Sequence, residues 1–326
     1  LNSCANDLDV IAVEEFWDWY QIPEAHQDPN STLADDVLSE YGVGPEHRAY
    51  HLYDAGIAGG SFATNLDKLG ARGLALESNQ WTLSDTVRAI LDKNLGYSDA
   101  LEKLWWDDVV SANDILLNTP VEVIDTTGEQ VVALDANGGR HLAKQVIITV
   151  SIGVLQSGAI QFKPELPAST VEAYMGIGFD SGMKVALRFS NPWWETEGES
   201  LAWLVTEGVA GVCWVPSDYK KNSTSHVLMC YPMGENSREL SALAATGDSS
   251  ALVKAVLRDL DQTFPQAPDA ASSNYVDSLV QDWGSEPFIK GAYSYPRINT
   301  VRSIELESKR RDLKVPVAGD RIFFAG

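Results

Sequence analysis

The spacing of apolar positions predicts helices in the first third of the chain. Helices are predicted, in chain order, over 13–20, 33–41, 84–91 and 96–106. Gly42 ends the second of them, and Ser84 is the predicted N-cap of the third. The segment 55–60 is rich in glycine and alanine, so we expect a flexible loop there.

The pattern changes to short strands between 115 and 155. Thr127-Gly128 and Asn137-Gly138-Gly139 separate three short runs that are rich in β-branched residues, and Asn-Gly is a strong hairpin signal. Strands are predicted over 121–124, 131–134, 140–143 and 146–150. The first three form a meander, and the fourth, which is apolar throughout, is predicted to be buried.

The rest of the chain mixes both kinds of element. Strands are predicted over 184–189, 201–206, 212–215, 227–231, 276–283 and 322–325, and helices over 170–175, 237–245 and 250–264. Successive strands without intervening helices favour an antiparallel sheet. The sequence therefore predicts a mixed α and β fold of the α+β class.

Composition and charge narrow the function. The chain has 326 residues, of which 44% are hydrophobic and 21% charged, as in an ordinary globular protein. No apolar run approaches the roughly 20 residues of a membrane helix, so no membrane span is predicted. The formal net charge of −22 argues against nucleic-acid binding, which depends on cationic groups, and attracts cations instead.

The cysteines and the glycosylation sequons give little information about the function. Three cysteines, Cys4, Cys213 and Cys230, exclude a disulfide framework. Cys213 and Cys230 lie in apolar segments and are expected in the core, which leaves open a bridge between neighbouring strands. Two glycosylation sequons start at Asn30 and Asn222 and weakly favour a secretory or extracellular location, which the sequence otherwise leaves undetermined.

Common catalytic motifs are missing. His47 and His51 have the spacing of a helical ligand pair, but no HExxH surrounds them, and we predict no metal site. The sequence contains no G-x-S-x-G and no G-x-G-x-x-G after a strand. On motifs alone, neither a serine hydrolase nor a nucleotide cofactor is indicated.

Two segments nevertheless have functional character. Over 180–189, Lys184 stands at the start of an apolar strand, where a lysine can become a partly desolvated donor, although a surface lysine is the alternative. Over 283–296, glycines and aromatic residues follow a strand. Such a loop can line a pocket for a flat ring or an amine, or simply pack its rings beneath the surface.

Several stretches resemble, in order, the flavin-containing amine oxidases. The resemblance covers about 96–326. Gln145–Gln156 resembles the family's "VIVTVPLGVL", and Gln161–Pro167 especially resembles the plant and fungal polyamine oxidases. The same order continues through the strand of Lys184 with Pro192-Trp193-Trp194, the 283–296 segment and Arg321–Gly326, and Leu117–Val121 resembles the family's "LN-x-x-V" hairpin.

The resemblance implies an FAD-linked amine oxidase fold and activity. Members oxidise an amine by hydride transfer to the flavin, the resulting imine hydrolyses, and dioxygen is reduced to hydrogen peroxide. The expected substrates are a small cationic amine, most simply a polyamine, and O2. The implied domains are 1–110 (helical part of the substrate domain), 111–158 (meander and core strand of the FAD-binding domain), 159–295 (substrate domain with antiparallel sheet and helices) and 296–326 (return to the FAD-binding domain, truncated).

Site residues follow from the same resemblance. Lys184 matches the lysine that holds a water at the flavin and is the predicted catalytic residue. Tyr293 matches an aromatic residue of the cage that guides the substrate nitrogen, and we expect Glu24 at the entrance. The position two before Lys184, which is aromatic in some relatives, is Gly182.

Cofactor contacts are implied at three positions. The backbone of Val121 is expected to meet the adenine, Trp283 to lie near the flavin, and Gly326 to begin the last flavin-binding loop. We expect the family's glycine-rich cradle to precede Leu1 and its "GE-x-T" to follow Gly326. This chain alone is therefore expected neither to retain FAD nor to be active.

Two rival functions stay open. The first is a monoamine or L-amino-acid oxidase, although no arginine stands out that would bind an amino-acid carboxylate. The second is a non-catalytic binding module on a flavin-oxidase scaffold. The sequence leaves the oligomeric state undetermined.

Overall fold

A computed structural model describes residues 15–16, 18–78, 102, 115–195, 201, 203–216, 226–244, 247–298 and 312–325. Helices and β-sheets are both prominent in this part of the chain, so the predicted α+β class is confirmed. The predicted helices over 84–91 and 96–106, the sequon at Asn222, Cys4 and Gly326 lie outside the described residues.

The helix predicted over 33–41 is confirmed, and the other helices between residues 23 and 78 were not predicted from the sequence. The helices are Pro23–Ala25 (3₁₀), α1 (Leu33–Tyr41), α2 (Arg48–His51), a π-helix (Leu52–Gly59), α3 (Gly60–Phe62) and α4 (Ala71–Ser78). Thr32 and Asp35 form a capping box at the start of α1, and Gly42 ends it in the left-handed conformation.

The predicted loop at 55–60 is wrong, because most of that segment belongs to the π-helix. A Cβ built on Gly56 would lie 3.7 Å from the side chain of Val205, and one on Gly60 would lie 3.7 Å from Val212. The small residues that indicated flexibility therefore let the helix lie close against two strands. Tertiary packing here overrides a weak helix propensity.

A meander and a parallel pair follow. The meander is β1 (Val121–Asp125), β2 (Val131–Asp135) and β3 (Arg140–Ala143), and β5 (Gln161–Lys163) joins β1 in parallel, in the order β3-β2-β1-β5. Apart from them, β4 (Val146–Ile148) pairs in parallel with β13 (Ile322–Phe324). The predicted strand over 146–150 ends at Ile148, since Ser151 caps the next helix, α5 (Ile152–Gln156).

The largest sheet carries the candidate site. Its strands are β7 (Met183–Phe189), β8 (Trp203–Val205), β9 (Val212–Trp214), β10 (His226–Tyr231) and β11 (Tyr275–Asp282), all antiparallel, in the order β11-β7-β10-β9-β8. The nearby helices are α6 (Ala168–Met175), α7 (Gly234–Leu243), α8 (Ser250–Thr263) and α9 (Ala270–Asn274). The predicted strands and helices of this region are confirmed to within a few residues.

One face of this sheet is buried, and the other face carries the candidate site. Along β7, the side chains of Met183, Val185, Leu187 and Phe189 are buried and pack with α8 in one hydrophobic cluster. The alternate residues, beginning with Lys184, point to the opposite face, because side chains in a strand alternate between the two sides. The core thus lies between the sheet and its helices.

A disulfide joins two adjacent strands of the sheet. Cys213 on β9 and Cys230 on β10 are direct partners in the ladder, both are fully buried, and they form a disulfide. The bridge between neighbouring strands that the sequence left open is the arrangement found. It holds the register of β9 against β10, and therefore fixes which of their side chains reach the other face.

The predicted loop at 283–296 ends in a strand. β12 (Ala292–Pro296) pairs with β6 (Ile177–Asp180). The ring of Tyr295 is buried among the residues of the first helices and lies flat against Gly178, where an added Cβ would be 2.4 Å from a ring carbon. The boundaries of the four predicted domains stay predictions, and this ring packs across one of them.

None of the described helices combines the length and the apolar character that crossing a membrane requires.

The contact of Tyr295 with Gly178 gives a stability prediction. Replacing Gly178 by alanine forces the ring away from the backbone, and we expect a loss of about 1 to 3 kcal/mol in the free energy of unfolding, as for other overpacked cores. Chemical denaturation measures it. Gly128→Ala is the matched control, since its added Cβ meets nothing nearer than 4.0 Å. Equal stability of the two variants would contradict the packing argument.

Candidate functional site

Lys184 and Tyr293, which lie 109 positions apart, meet at a third residue, Tyr231. The Nζ atom of Lys184 lies 5.7 Å from the ring centroid of Tyr231. On the other side, the ring centroids of Tyr231 and Tyr293 are 6.4 Å apart, with a tilt of 56°. The structure therefore places the predicted catalytic lysine and the predicted cage residue around one aromatic ring.

Strand pairing explains the meeting of Lys184 and Tyr231. Cys230 pairs with Val185 across β10 and β7, so the next residues along, Tyr231 and Lys184, are also opposite each other. The side chains of Tyr231 and Lys184 point away from the face on which Val185 and Cys230 are buried. Their proximity therefore follows from the register of the antiparallel pair.

Tyr293 reaches Tyr231 through an irregular backbone. The pairing of β12 with β6 shifts register between Ala292 and Ser294, and Tyr293 has a φ of +43°. A tyrosine in this left-handed region is strained, and such residues concentrate at functional sites. The bulge directs the ring of Tyr293 out of the ladder, where it is 49% exposed.

The backbone of Trp283 links the strand of Lys184 to the segment that carries Tyr293. Its N–H donates to the carbonyl of Gly182 at 3.0 Å, and its carbonyl accepts from the N–H of Gly291 at 2.9 Å. One residue thereby fixes the start of the Lys184 strand and the approach to Tyr293. The Trp283 side chain is half-buried, and its predicted proximity to the flavin stays a prediction.

A network of charged and polar side chains lies where β6 pairs with β12, next to Tyr293. Asp180, whose side chain is 9% exposed, accepts hydrogen bonds from Thr64 and Arg238 and lies 3.6 Å from the ammonium of Lys68. Its backbone pairs with Ala292, the neighbour of Tyr293. The carboxylate therefore ties the first helices, α7 and the Tyr293 segment together.

A third ring extends the aromatic surface. The ring centroids of Trp214 and Tyr231 are 6.0 Å apart, in an edge-to-face arrangement. We call Trp214, Tyr231 and Tyr293 the aromatic strip. Met233 and Ala292 pack beside it, at distances of 2.7 to 2.9 Å from where a Cβ of Gly182 would be. A side chain at Gly182 would occupy this space, so the second ring next to Tyr293 comes from Tyr231 instead.

The electrostatics of the strip keep the phenol group of Tyr231 neutral. Burial raises the pKa of Tyr231 far above its ordinary value, and a hydrogen bond with Tyr293 raises this pKa further. Tyr231 therefore keeps its proton at any physiological pH. The Tyr231 ring is 9% exposed, and its neutral π face, the negative pole of its quadrupole, lies toward the ammonium of Lys184.

The other predicted residues lie in separate elements. Val121 begins β1 at a register shift and is half-buried. Glu24 is exposed in the 3₁₀ helix, and its backbone carbonyl accepts from the Gln27 side chain at 2.6 Å. The structure records no contact of Glu24 with the strip within the described residues, and its entrance role stays a prediction. Gly326 lies outside the described part.

A surface groove elsewhere is not part of this site. It has a volume of 840 Å³ and runs between α8, α9 and β11, with Lys254, Arg258 and Tyr275 among its lining residues. It shares no residue with the aromatic strip. Within the described ranges, the side chains that could ligate a metal form no group of three or more.

Sequence reasoning missed Tyr231 and Trp214. Both belong to short apolar strands, "HVLMCY" and "VCW", which look like core strands at every position. The available signal was alternation. If Cys230 and Cys213 face the core, their neighbours Tyr231 and Trp214 must face the other side.

The residues fit part of an FAD molecule. Lys184 and Tyr293 are exposed, so a flat ring can reach them, whereas Tyr231 is 9% exposed. At Val121 the bulge interrupts the regular ladder, which suits a backbone contact with an adenine edge. A cradle for the pyrophosphate is not found among the described residues.

Comparison with known sequences identifies the family of the chain. The model of the family of flavin containing amine oxidoreductases matches residues 20–326. The chain is 33% identical over 214 residues to probable polyamine oxidase 4 of Arabidopsis thaliana, covering 65% of this chain and 39% of that protein. It is 29% identical over 233 residues to lysine-specific histone demethylase 1B of Mus musculus, covering 71% of this chain and 26% of that protein.

Solved structures share the fold. Putrescine oxidase bound to putrescine matches with a TM-score of 0.70 at 16% identity, covering 98% of this chain and 70% of that one. Cyclohexylamine oxidase from Brevibacterium oxydans matches with a TM-score of 0.70 at 16% identity, covering 96% and 68%. The predicted family, fold and cofactor, FAD, are thus confirmed at the level of the family. The chain belongs to the flavin-containing amine oxidoreductases.

Proposed function

We propose that the protein of which this chain is a part oxidises a diamine or polyamine, with FAD as cofactor and O2 as the acceptor that becomes H2O2. The observation that carries the proposal is the ammonium group of Lys184 over the ring of Tyr231, with Tyr293 beside it. This arrangement combines a cation-binding aromatic surface with a fixed positive charge.

The aromatic rings bind the amine as a cation. An alkylammonium ion is attracted to a tyrosine face by about 0.5 to 2 kcal/mol, depending on how far water is excluded. The raised pKa of Tyr231 keeps this ring neutral, so its interaction with the amine does not become a fixed ion pair. The substrate nitrogen can therefore lose its proton without leaving a stranded phenolate.

Lys184 favours that loss of a proton. Its ammonium group and a substrate ammonium on the same strip repel each other, by roughly 1 kcal/mol in water and by more where water is excluded. Repulsion stabilises the neutral amine relative to the ammonium. Oxidation at the carbon beside nitrogen requires the neutral amine, because its lone pair must be available.

FAD, when bound, supplies the two-electron oxidation of the carbon–nitrogen bond. Lys184 and Trp283 are the residues proposed to lie at its ring, Val121 at its adenine and Gly326 at the start of its last loop. The chain's own contribution is to orient the amine on the strip and to hold a donor, the Lys184 ammonium, where a water can be bound.

Charge and relatives favour a substrate with several amino groups. The net charge of −22 concentrates polycations near the surface. The plant relative is named as a probable polyamine oxidase, and a solved relative binds putrescine. A second candidate follows from the demethylase relative, which would make a methylated lysine side chain the amine. The rival monoamine function has cyclohexylamine oxidase among the solved relatives, at the same TM-score as putrescine oxidase. The rival amino-acid and non-catalytic functions lack such a specific observation.

A substrate panel tests the proposal on the full-length protein. We expect flavin absorbance near 450 nm and peroxide release with spermidine, spermine or 1,4-diaminobutane. Benzylamine, leucine and a dimethyl-lysine peptide are the comparison substrates. Turnover of the peptide alone would establish the demethylase alternative, and a flavin that no amine reduces would support a binding module.

The role of Lys184 gives a separate prediction. In Lys184→Met, we expect reoxidation of the reduced flavin by O2 to slow by about 10- to 100-fold, with a smaller change in amine affinity, because the donor for the bound water is lost. Stopped-flow mixing of anaerobically reduced protein with O2 measures the rate. Arg188→Met, on the same face of β7, is the control. An unaltered oxygen reaction in Lys184→Met would remove this role.

The tyrosine pair gives a prediction about pH. Tyr293→Phe removes the hydrogen bond to Tyr231, so we expect the pKa of Tyr231 to fall while burial still holds it above about 10. Since the folded state keeps a proton that the unfolded chain releases, the pair costs stability as pH rises above about 10. The NMR signal of ¹³Cζ-labelled tyrosine follows the titration. Tyr174→Phe is the control, and the same Tyr231 titration in both variants would contradict the contact.

A further inference from the structure

We propose that the indole face of Trp214 is a second cation subsite, which holds the distal ammonium of a diamine while its other nitrogen lies between Tyr231 and Tyr293. The inference rests on the proposed amine oxidation and narrows it to substrates with two amino groups. It follows from how the rings of the aromatic strip are arranged.

Two other aromatic rings of the strip lie next to Tyr231. Tyr293 lies 6.4 Å from it and Trp214 lies 6.0 Å from it, ring centroid to ring centroid. An ammonium group, that of Lys184, already lies over the middle ring. Primary ammonium groups are thus compatible with this surface, and Trp214 carries the ring type that attracts cations most strongly.

The surroundings of Trp214 leave its ring as the group that can receive a charge. It is half-buried and packs with Ala63, Tyr231 and Met233. No carboxylate is recorded in contact with Trp214 among the residues that the structure describes. An ammonium group at this end of the strip would therefore be held by a π face rather than by an ion pair.

The walls around the strip limit its width. Val212, the ladder partner of Tyr231, lies against Gly60, and Val205 on the next strand lies against Gly56. The π-helix and α3 therefore pack against β8 and β9 next to the strip. On this proposal, an alkyl chain that leaves the Tyr231–Tyr293 pair runs toward Trp214.

The spacing suits a short diamine. The two nitrogens of 1,4-diaminobutane are separated by five bonds of about 1.5 Å, which span roughly 6 Å when extended. This length is close to the 6.0 Å between the ring centroids of Tyr231 and Trp214. A monoamine of the same length, n-butylamine, occupies the same path with a methyl group where the diamine has its second ammonium.

The test compares these two amines in the full-length, flavin-loaded protein. We expect the preference for 1,4-diaminobutane over n-butylamine, as the ratio of kcat/KM values, to fall five- to thirtyfold in Trp214→Leu, which is the loss of about 1 to 2 kcal/mol of cation–π attraction. Trp214→Phe keeps a π face and retains part of the preference. Tyr174→Leu removes an aromatic residue that is half-buried like Trp214 but lies outside the strip, and it is the control.

A binding measurement is independent of turnover. 1,4-Bis(trimethylammonio)butane carries a permanent charge at each end and cannot become a neutral amine. Calorimetry with this ion, and with butyltrimethylammonium as the single-charge reference, should show the same loss of preference in Trp214→Leu. Circular dichroism and the thermal midpoint verify that each variant is folded.

The outcomes separate the two proposals. If the wild-type protein oxidises both amines but Trp214→Leu keeps the preference within twofold, the subsite is wrong and amine oxidation stands. If Trp214→Phe loses as much as Trp214→Leu, the π face is not the cause, and the subsite is also wrong. If neither these two amines nor spermidine and spermine are oxidised, the proposed function fails, and calorimetry with the doubly charged ion alone decides whether Trp214 binds a cation.

Discussion

The candidate site depends on one constraint, the two-residue alternation of an antiparallel sheet whose other face is buried. Val185, Cys230 and Cys213 anchor three adjacent strands in the core. Their neighbours Lys184, Tyr231 and Trp214 are then obliged to share the opposite face. A slip of one residue in any of these strands would exchange the two sets, so the hydrophobic core that stabilises the domain also specifies the chemistry of its other side.

Much of this architecture was readable from the sequence, because it rests on local patterns. The strand that begins beside Lys184, helix α1 with its Gly42 end and the meander with its Asn-Gly turn all follow from periodicity and turn residues. The π-helix was not predictable, since its stability comes from contact with Val205 and Val212, more than 140 residues away. Local glycine and alanine content carries no information about such a contact.

The candidate site was predictable only in part, because local sequence patterns do not reveal contacts between distant strands. Lys184 and Tyr293 were found through a family resemblance, and the structure places both at Tyr231. Tyr231 and Trp214 were missed because the apolar character of a strand does not reveal which face packs on helices. Gly182 suggested an incomplete cage, but strand pairing provides a ring from β10 that no motif around Lys184 could indicate.

The pairing of β4 with β13 has a consequence for biosynthesis. The two strands form a parallel ladder although they are far apart in the sequence. Next to the ladder, the side chain of Gln145 donates to the carbonyl of Asp320, which lies 175 residues later. At about 5 to 20 residues per second, a ribosome needs roughly 10 to 35 s to make the second strand after the first. During that interval β4 lacks its parallel partner, and an apolar strand edge without a partner is prone to aggregation.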